Sequence, residues 1–119
     1  MRSSLLGSML QVLKFNQDRK AQRVRVFELG RVFLRDPSVI SSDTTVKGFD
    51  QPMRLAGLAA GPTDTPAWAN KDRQVEFYDV KGDLETLFAP NRLTFTPTQQ
   101  PAMHPGRCAQ IELDGVVIG

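Results

Sequence analysis

Asp114-Gly115 stands between two short alternating apolar runs, 108–113 and 116–118. The tightest hairpin turn needs positive φ at both central positions, and an Asp-Gly pair adopts it readily, so the two runs are predicted to pair as antiparallel strands. Other segments read as strands as well. Residues 23–30 alternate, with Val24, Val26 and Glu28 on one side and Arg25, Phe27 and Leu29 on the other. Gly30 allows a bend or bulge, with a second extended piece over 31–35. Small residues fill 53–61 (Leu55, Ala56, Gly57, Leu58, Ala59, Ala60), so another element can approach that strand closely. Leu93, Phe95 and Pro97 alternate with threonines, which predicts a further strand.

Two stretches follow the helical period. Leu5, Leu6, Met9, Leu10, Val12 and Leu13 recur at spacings of three and four behind the serines Ser3 and Ser4, either of which can cap the first turn. The stripe is wide, which suits a helix packed on more than one neighbour. It should end near residues 16–20. Phe77, Val80, Leu84, Leu87 and Phe88 form the second stripe, with Asp79 as cap and Pro90 as stop. Between the elements, 36–52 reads as one long loop, the stretch around Trp68 is polar, and 99–107 is irregular. Strands joined by loops and hairpins predict an α+β fold, an antiparallel sheet flanked by helices. With 119 residues the chain is one domain's worth, 1–119. The break-off at Gly119, beside the returning strand, leads us to expect a piece of something longer.

Composition narrows the functional classes. A 40% apolar and 24% charged chain is globular in character. The net charge of +2 does not by itself argue for nucleic acid, although basic residues lean towards the first third. One cysteine, Cys108, and one histidine, His104, can form neither an internal disulfide nor a four-ligand zinc site. Both facts fit a reducing cytoplasm. No apolar run approaches the ~20 residues of a membrane span, and the interrupted apolar start is not a signal peptide.

Three stretches carry a resemblance. The first is Met1-Arg2-Ser3-Ser4-Leu5-Leu6, with Asn16, Arg19 and then Val24-Arg25-Val26-Phe27-Glu28-Leu29-Gly30-Arg31-Val32-Phe33. The second is Leu55-Ala56-Gly57-Leu58, Trp68, then Phe77-Tyr78-Asp79-Val80-Lys81-Gly82-Asp83-Leu84-Glu85. The third is His104-Pro105-Gly106-Arg107-Cys108-Ala109 leading to Asp114-Gly115-Val116-Val117-Ile118-Gly119. In this order they resemble the beta subunits of bacterial-type phenylalanine–tRNA ligases, over nearly the whole chain apart from the loops near 36–52, 62–74 and 89–101.

The resemblance implies a partial class II synthetase-like fold, with 1–119 the N-terminal part of the synthetase-like core module. It implies a holoenzyme that activates phenylalanine with ATP and charges its tRNA, a heterotetramer of two alpha and two beta subunits in the cytoplasm. ATP and Mg²⁺ would belong to the alpha subunit, and this stretch would be a scaffold without cofactor. No third class II motif, anticodon-binding-like domain, editing domain or metal-binding segment is recognisable.

The Phe-Glu-Leu-Gly-Arg-Val-Phe stretch is similar to the second class II motif, after which active members carry Phe-Arg-x-Glu. That arginine meets the ATP α-phosphate and the attacked carboxylate, a task suited to a planar fork that pairs two oxygens. Here the segment reads Phe33-Leu34-Arg35-Asp36, so a leucine replaces the guanidinium and no catalytic, cofactor or metal residue is assigned. A one-residue shift would bring in Arg35 and Asp36, the basis of an alternative: a degenerate core that still binds nucleotide. A third reading is a stand-alone RNA- or protein-binding module.

The remaining candidates each have a plainer reading. Arg25, Arg31, Arg35 and Arg107 are candidates for an interface or an RNA-facing surface, against ordinary solvated or locally paired side chains. His104 and Cys108 lack the third group of a nucleophilic pair. Asp79, Asp83 and Glu85 suit a helix start better than Mg²⁺. Lys81-Gly82 has no glycine-rich loop before it. The stripe over 5–15 is core or subunit interface.

Overall fold

The computed structural model describes residues 1–63 and 73–119, which leaves Trp68 outside the described residues. Its elements are α1 (Leu6–Asp18), β1 (Val24–Arg31), β2 (Leu34–Arg35), β3 (Phe49–Asp50), β4 (Met53–Ala60), α2 (Phe77–Phe88), β5 (Leu93–Pro97), β6 (Ala109–Leu113) and β7 (Val116–Val117). The fold is α+β as expected. Among the described residues the ladders are antiparallel and form three small sheets, β1-β4, β2-β3 and β5-β6-β7. The chain divides into two compact units, Met1–Gln74 and Val75–Gly119. No helix among the described residues is long and apolar enough to cross a membrane.

In the first unit, α1 lies on one face of the β1-β4 ladder. Neither serine is the N-cap, which is Leu5 without a side-chain cap bond, but Ser4 Oγ, one residue earlier, accepts the Leu6 N–H at 3.1 Å. The helix closes at Arg19 through bonds to the carbonyls of Asn16 and Gln17, and Lys20 turns left-handed at φ 61°. The Arg19 guanidinium then stacks 3.5 Å over the Phe15 ring. Leu5 and Met9 of the helical stripe, with Val24 and Val32, are the buried apolar side chains among the described residues. Each such burial contributes roughly 1.5–3 kcal/mol.

β1 alternates as its sequence predicts, with Val24, Val26, Glu28 and Gly30 the more buried set. The bend expected at Gly30 does not occur. Gly30 sits inside the strand opposite Arg54, and its missing side chain leaves room for the guanidinium of Arg2, which a Cβ there would strike. The second extended piece shrinks to Leu34–Arg35, and the long loop contributes its partner, Phe49–Asp50. β4 ends at Gly61, whose φ of +89° turns the chain against the Gln22 carbonyl.

The second unit joins α2 to the β5-β6-β7 sheet. Asp79 does not stand at the N-cap. That position is Glu76, and Asp79 at the third helical position accepts the Glu76 N–H at 2.9 Å, completing a capping box. Glutamate is an unusual cap, which is why the helix starts earlier than its sequence suggested. The Asp114-Gly115 turn has φ 52° and 80°, and β6 and β7 pair across it as predicted. Phe77 makes edge contacts with Tyr78 and Phe95. No described residue of this unit is buried.

Candidate functional site

The segment resembling a class II motif is built on β1 and β2. Along β1 the pleat sends alternate side chains to opposite faces. Arg25, Phe27, Leu29 and Arg31 therefore point away from α1, opposite Ala59, Gly57, Leu55 and Met53 of β4. Phe27 is 80% exposed and Leu29 63%, so this outer face is an open apolar stripe with an arginine near either end. Arg31 also donates to the Gln51 carbonyl at 3.0 Å, tying β1 to the segment before β4.

The other face of β1 holds a polar knot. The Arg2 guanidinium meets Glu28 Oε1 at 2.5 Å and donates to Ser8 Oγ at 3.2 Å and to the Arg31 carbonyl at 3.4 Å. Ser8 Oγ in turn donates within reach of Glu28 Oε2, at 3.1 Å, and of the Leu5 carbonyl, at 3.0 Å. With Phe33 N–H bonded to the Arg2 carbonyl at 2.8 Å, the knot fastens the chain start, α1 and β1 together. Each of the three side chains is bonded to the other two, so the knot acts as a structural lock. Sequence reasoning missed it because its members are far apart in the chain and follow no local spacing.

Leu34 is half-buried in β2 and faces with its partner Asp50, whereas Arg35 faces the opposite way with Phe49. A one-residue shift of register therefore moves a guanidinium to the other side of the strand rather than into the leucine's place. The Arg35 side chain is exposed and makes no hydrogen bond or ion pair with a described residue. Asp36 is engaged locally: its Oδ1 accepts the Ser38 hydroxyl at 2.6 Å and the Ser38 N–H at 3.0 Å. Those bonds, the hydroxyl's first, hold its carboxyl below its ordinary value. A depressed carboxylate stabilises the fold above its ordinary pKa and loses that contribution as pH falls through the lowered one. Ser38→Ala is thus expected to move the Asp36 titration upward, read by NMR of the carboxyl carbon, with no change in the loop at neutral pH.

Arg107 belongs to the second unit, and the other three candidates belong to the first. Its N–H bonds to the His104 carbonyl at 2.9 Å, while His104 Nδ1 accepts the Gly106 N–H at 3.1 Å, a local turn. Cys108 is a half-buried free thiol. Glu85 is 3.7 Å from Lys81, and among the described residues no three His, Cys, Asp or Glu side chains gather as a metal would require. Within the first unit, Arg25 and Arg31 share one face of the β1-β4 ladder, whereas Arg35 lies on β2.

The first helix offers a second open surface. Leu6 and Leu10 are exposed and Leu13 half-buried, beside the buried line through Leu5 and Met9. Their four-three spacing is that of a helix–helix seam.

Comparison with known proteins agrees with these motifs. The family model described as phenylalanyl tRNA synthetase beta chain CLM domain matches residues 1–119. The phenylalanine–tRNA ligase beta subunit of Burkholderia pseudomallei (strain 1710b) is 50% identical over 119 residues, covering 100% of this chain and 15% of the relative. That of Cupriavidus pinatubonensis is also 50% identical, and that of Ralstonia nicotianae 46%, each with the same coverage. The chain thus spans 15% of the length of these relatives. With its motifs matched from end to end, the chain belongs to the phenylalanyl tRNA synthetase beta chain CLM domain family.

Proposed function

We propose that this chain is a non-catalytic, class II synthetase-like scaffold within a phenylalanine–tRNA ligase, with 1–119 the N-terminal part of its synthetase-like core. In this reading the holoenzyme activates phenylalanine with ATP and transfers it to tRNA. The chain helps hold the alpha subunit in its working shape within a cytoplasmic heterotetramer. The observation that carries the proposal is the trio Leu34, Arg35 and Asp36. An aliphatic side chain holds the position of the reacting guanidinium, the neighbouring arginine faces the other way, and the neighbouring acid is bonded to Ser38. An aliphatic group offers nothing to the charge that develops on a phosphate in the transition state. These residues do not fit ATP or Mg²⁺, which this proposal leaves to the alpha subunit. The Leu6–Leu10–Leu13 seam supports a helix-mediated contact with that subunit.

The test is ATP–pyrophosphate exchange with phenylalanine, measured on the assembled enzyme. Arg35→Ala in this chain is expected to leave the exchange rate within about twofold, because an exposed cation outside the reacting site contributes nothing to the barrier. Loss of a guanidinium that meets the reacting phosphate would lower the rate by about 100-fold or more. Such a loss would establish the nucleotide-binding alternative. The exchange reaction does not involve tRNA, so a role of Arg35 towards RNA does not confuse the result.

A further inference from the structure

We propose that the turn closing α1 is a contact site for the sugar–phosphate backbone of RNA, carried by Arg19, Lys20 and Arg23. The inference rests on the reading of the chain as part of an enzyme that charges tRNA. The turn itself is a backbone motif. Lys20 N–H donates to the Gln17 carbonyl at 2.8 Å and Ala21 N–H to the Asn16 carbonyl at 3.0 Å, the paired closure that ends many helices. That closure needs left-handed backbone at the first residue past the helix end, and glycine is the usual occupant because it has no Cβ to strain. Here the position holds Lys20, at φ 61°. A long cation kept in a conformation that glycine adopts freely points to a task for the side chain.

The charges around it are uncompensated. Arg19, Lys20 and Arg23 are all exposed, and none forms an ion pair with a described residue. Asp18, the one acid between positions 14 and 25, is bound to Lys14 at 2.7 Å. Arg19 donates to the Phe15 carbonyl at 3.3 Å and Arg23 to the Thr63 carbonyl at 3.0 Å. Each of these bonds uses one of the five N–H donors of a guanidinium and leaves its charge in place. Arg19 is further held over the Phe15 ring, so both guanidinium groups are set in position while Lys20 adds a point charge between them.

The composition of the turn favours RNA over a protein surface. The core of a protein interface is apolar and poor in charge. Residues 16–23 offer one apolar side chain, Ala21, which is half-buried. The exposed amides of Gln17 and Gln22 flank the cations, and such groups bond to phosphate and sugar oxygens. Contacts of this kind position a nucleic acid without reading its bases.

The test uses the intact beta subunit assembled with its alpha subunit. The dissociation constant of tRNA is measured by filter binding over a range of salt, alongside ATP–pyrophosphate exchange and the melting temperature. Lys20→Gly is expected to weaken tRNA binding about threefold or more and to reduce the salt slope by about 1, as for one lost phosphate contact. A tRNA for another amino acid should lose affinity by the same factor. Melting should stay put or rise, because glycine relieves the left-handed position. Lys20→Gly with Arg23→Gln should weaken binding about tenfold or more, and exchange should stay within about twofold. Lys47→Gln, which removes an exposed charge from the loop, is the control and should change binding by less than about twofold. Unchanged tRNA binding in the double variant, with exchange intact, would overturn the inference alone. So would weaker binding that accompanies a lower melting temperature or loss of the alpha subunit, which would assign the turn to folding or to a protein contact. Absence of exchange in the unaltered assembly would strike the ligase reading, and this inference with it.

Discussion

Replacing Gly61 with alanine is expected to destabilise the protein by about 3 kcal/mol or more. Two effects add. The φ of +89° is one that L side chains adopt at a cost of about 1–2 kcal/mol. The new methyl would also overlap the Gln22 carbonyl oxygen and press on Arg23 Cα at 3.2 Å, and both are backbone atoms that cannot rotate aside. The strain falls where β4 ends beside the start of β1, so relief requires the two strands to part. Gly7→Ala is the control. Gly7 lies in α1 with nothing near its missing Cβ, and there the same substitution should stabilise by about 0.5–1 kcal/mol. Urea unfolding of the two variants should shift the midpoint in opposite directions. A wild-type midpoint for Gly61→Ala would refute the turn geometry.

The second large effect is expected at Met9. Truncation to alanine removes one of the four buried apolar side chains among the described residues and should cost about 2–5 kcal/mol. Leu10→Ala, next in sequence but 60% exposed, should change stability by no more than about 0.5 kcal/mol. Its effect should appear instead in the dissociation of the alpha subunit, since Leu10 lies at the middle of the proposed seam. Thermal unfolding separates the first pair of outcomes, and dilution of the complex followed by sizing measures the second. Equal destabilisation by both substitutions would mean that α1 is buried on both sides within this chain.

Where a residue's neighbours in sequence are also its neighbours in space, the fold was legible. The Asp114-Gly115 turn, the alternation of β1 and the two helical stripes depend on contacts a few residues long. The pairing of Leu34–Arg35 with Phe49–Asp50 was not legible, because two-residue strands show no period, and the intervening segment reads only as loop. The knot of Arg2, Ser8 and Glu28 was invisible for a related reason: its contacts join three elements, and Gly30, which makes room for it, suggested a bend. Glu76 escaped notice as a cap because its long side chain is rare there. For the candidate site, the leucine at position 34 was evident from the motif. The opposite orientation of Arg35 and the engagement of Asp36 by Ser38 came only from the register and the turn. Sequence likewise marked 5–15 as a stripe without saying which side lay inward. Met9 and Leu10 are adjacent, and only packing tells them apart.

The unburied second unit bears on how the protein is made and kept. Strand pairing and a capped helix without a sequestered side chain offer little against the entropy of ordering some four dozen residues, roughly 1–2 kcal/mol apiece for backbone alone. What cohesion it has rests on half-buried side chains such as Phe95, Ile111 and Leu113. Newly synthesised molecules in which this unit stays open are expected to be the readier substrates of cellular proteases.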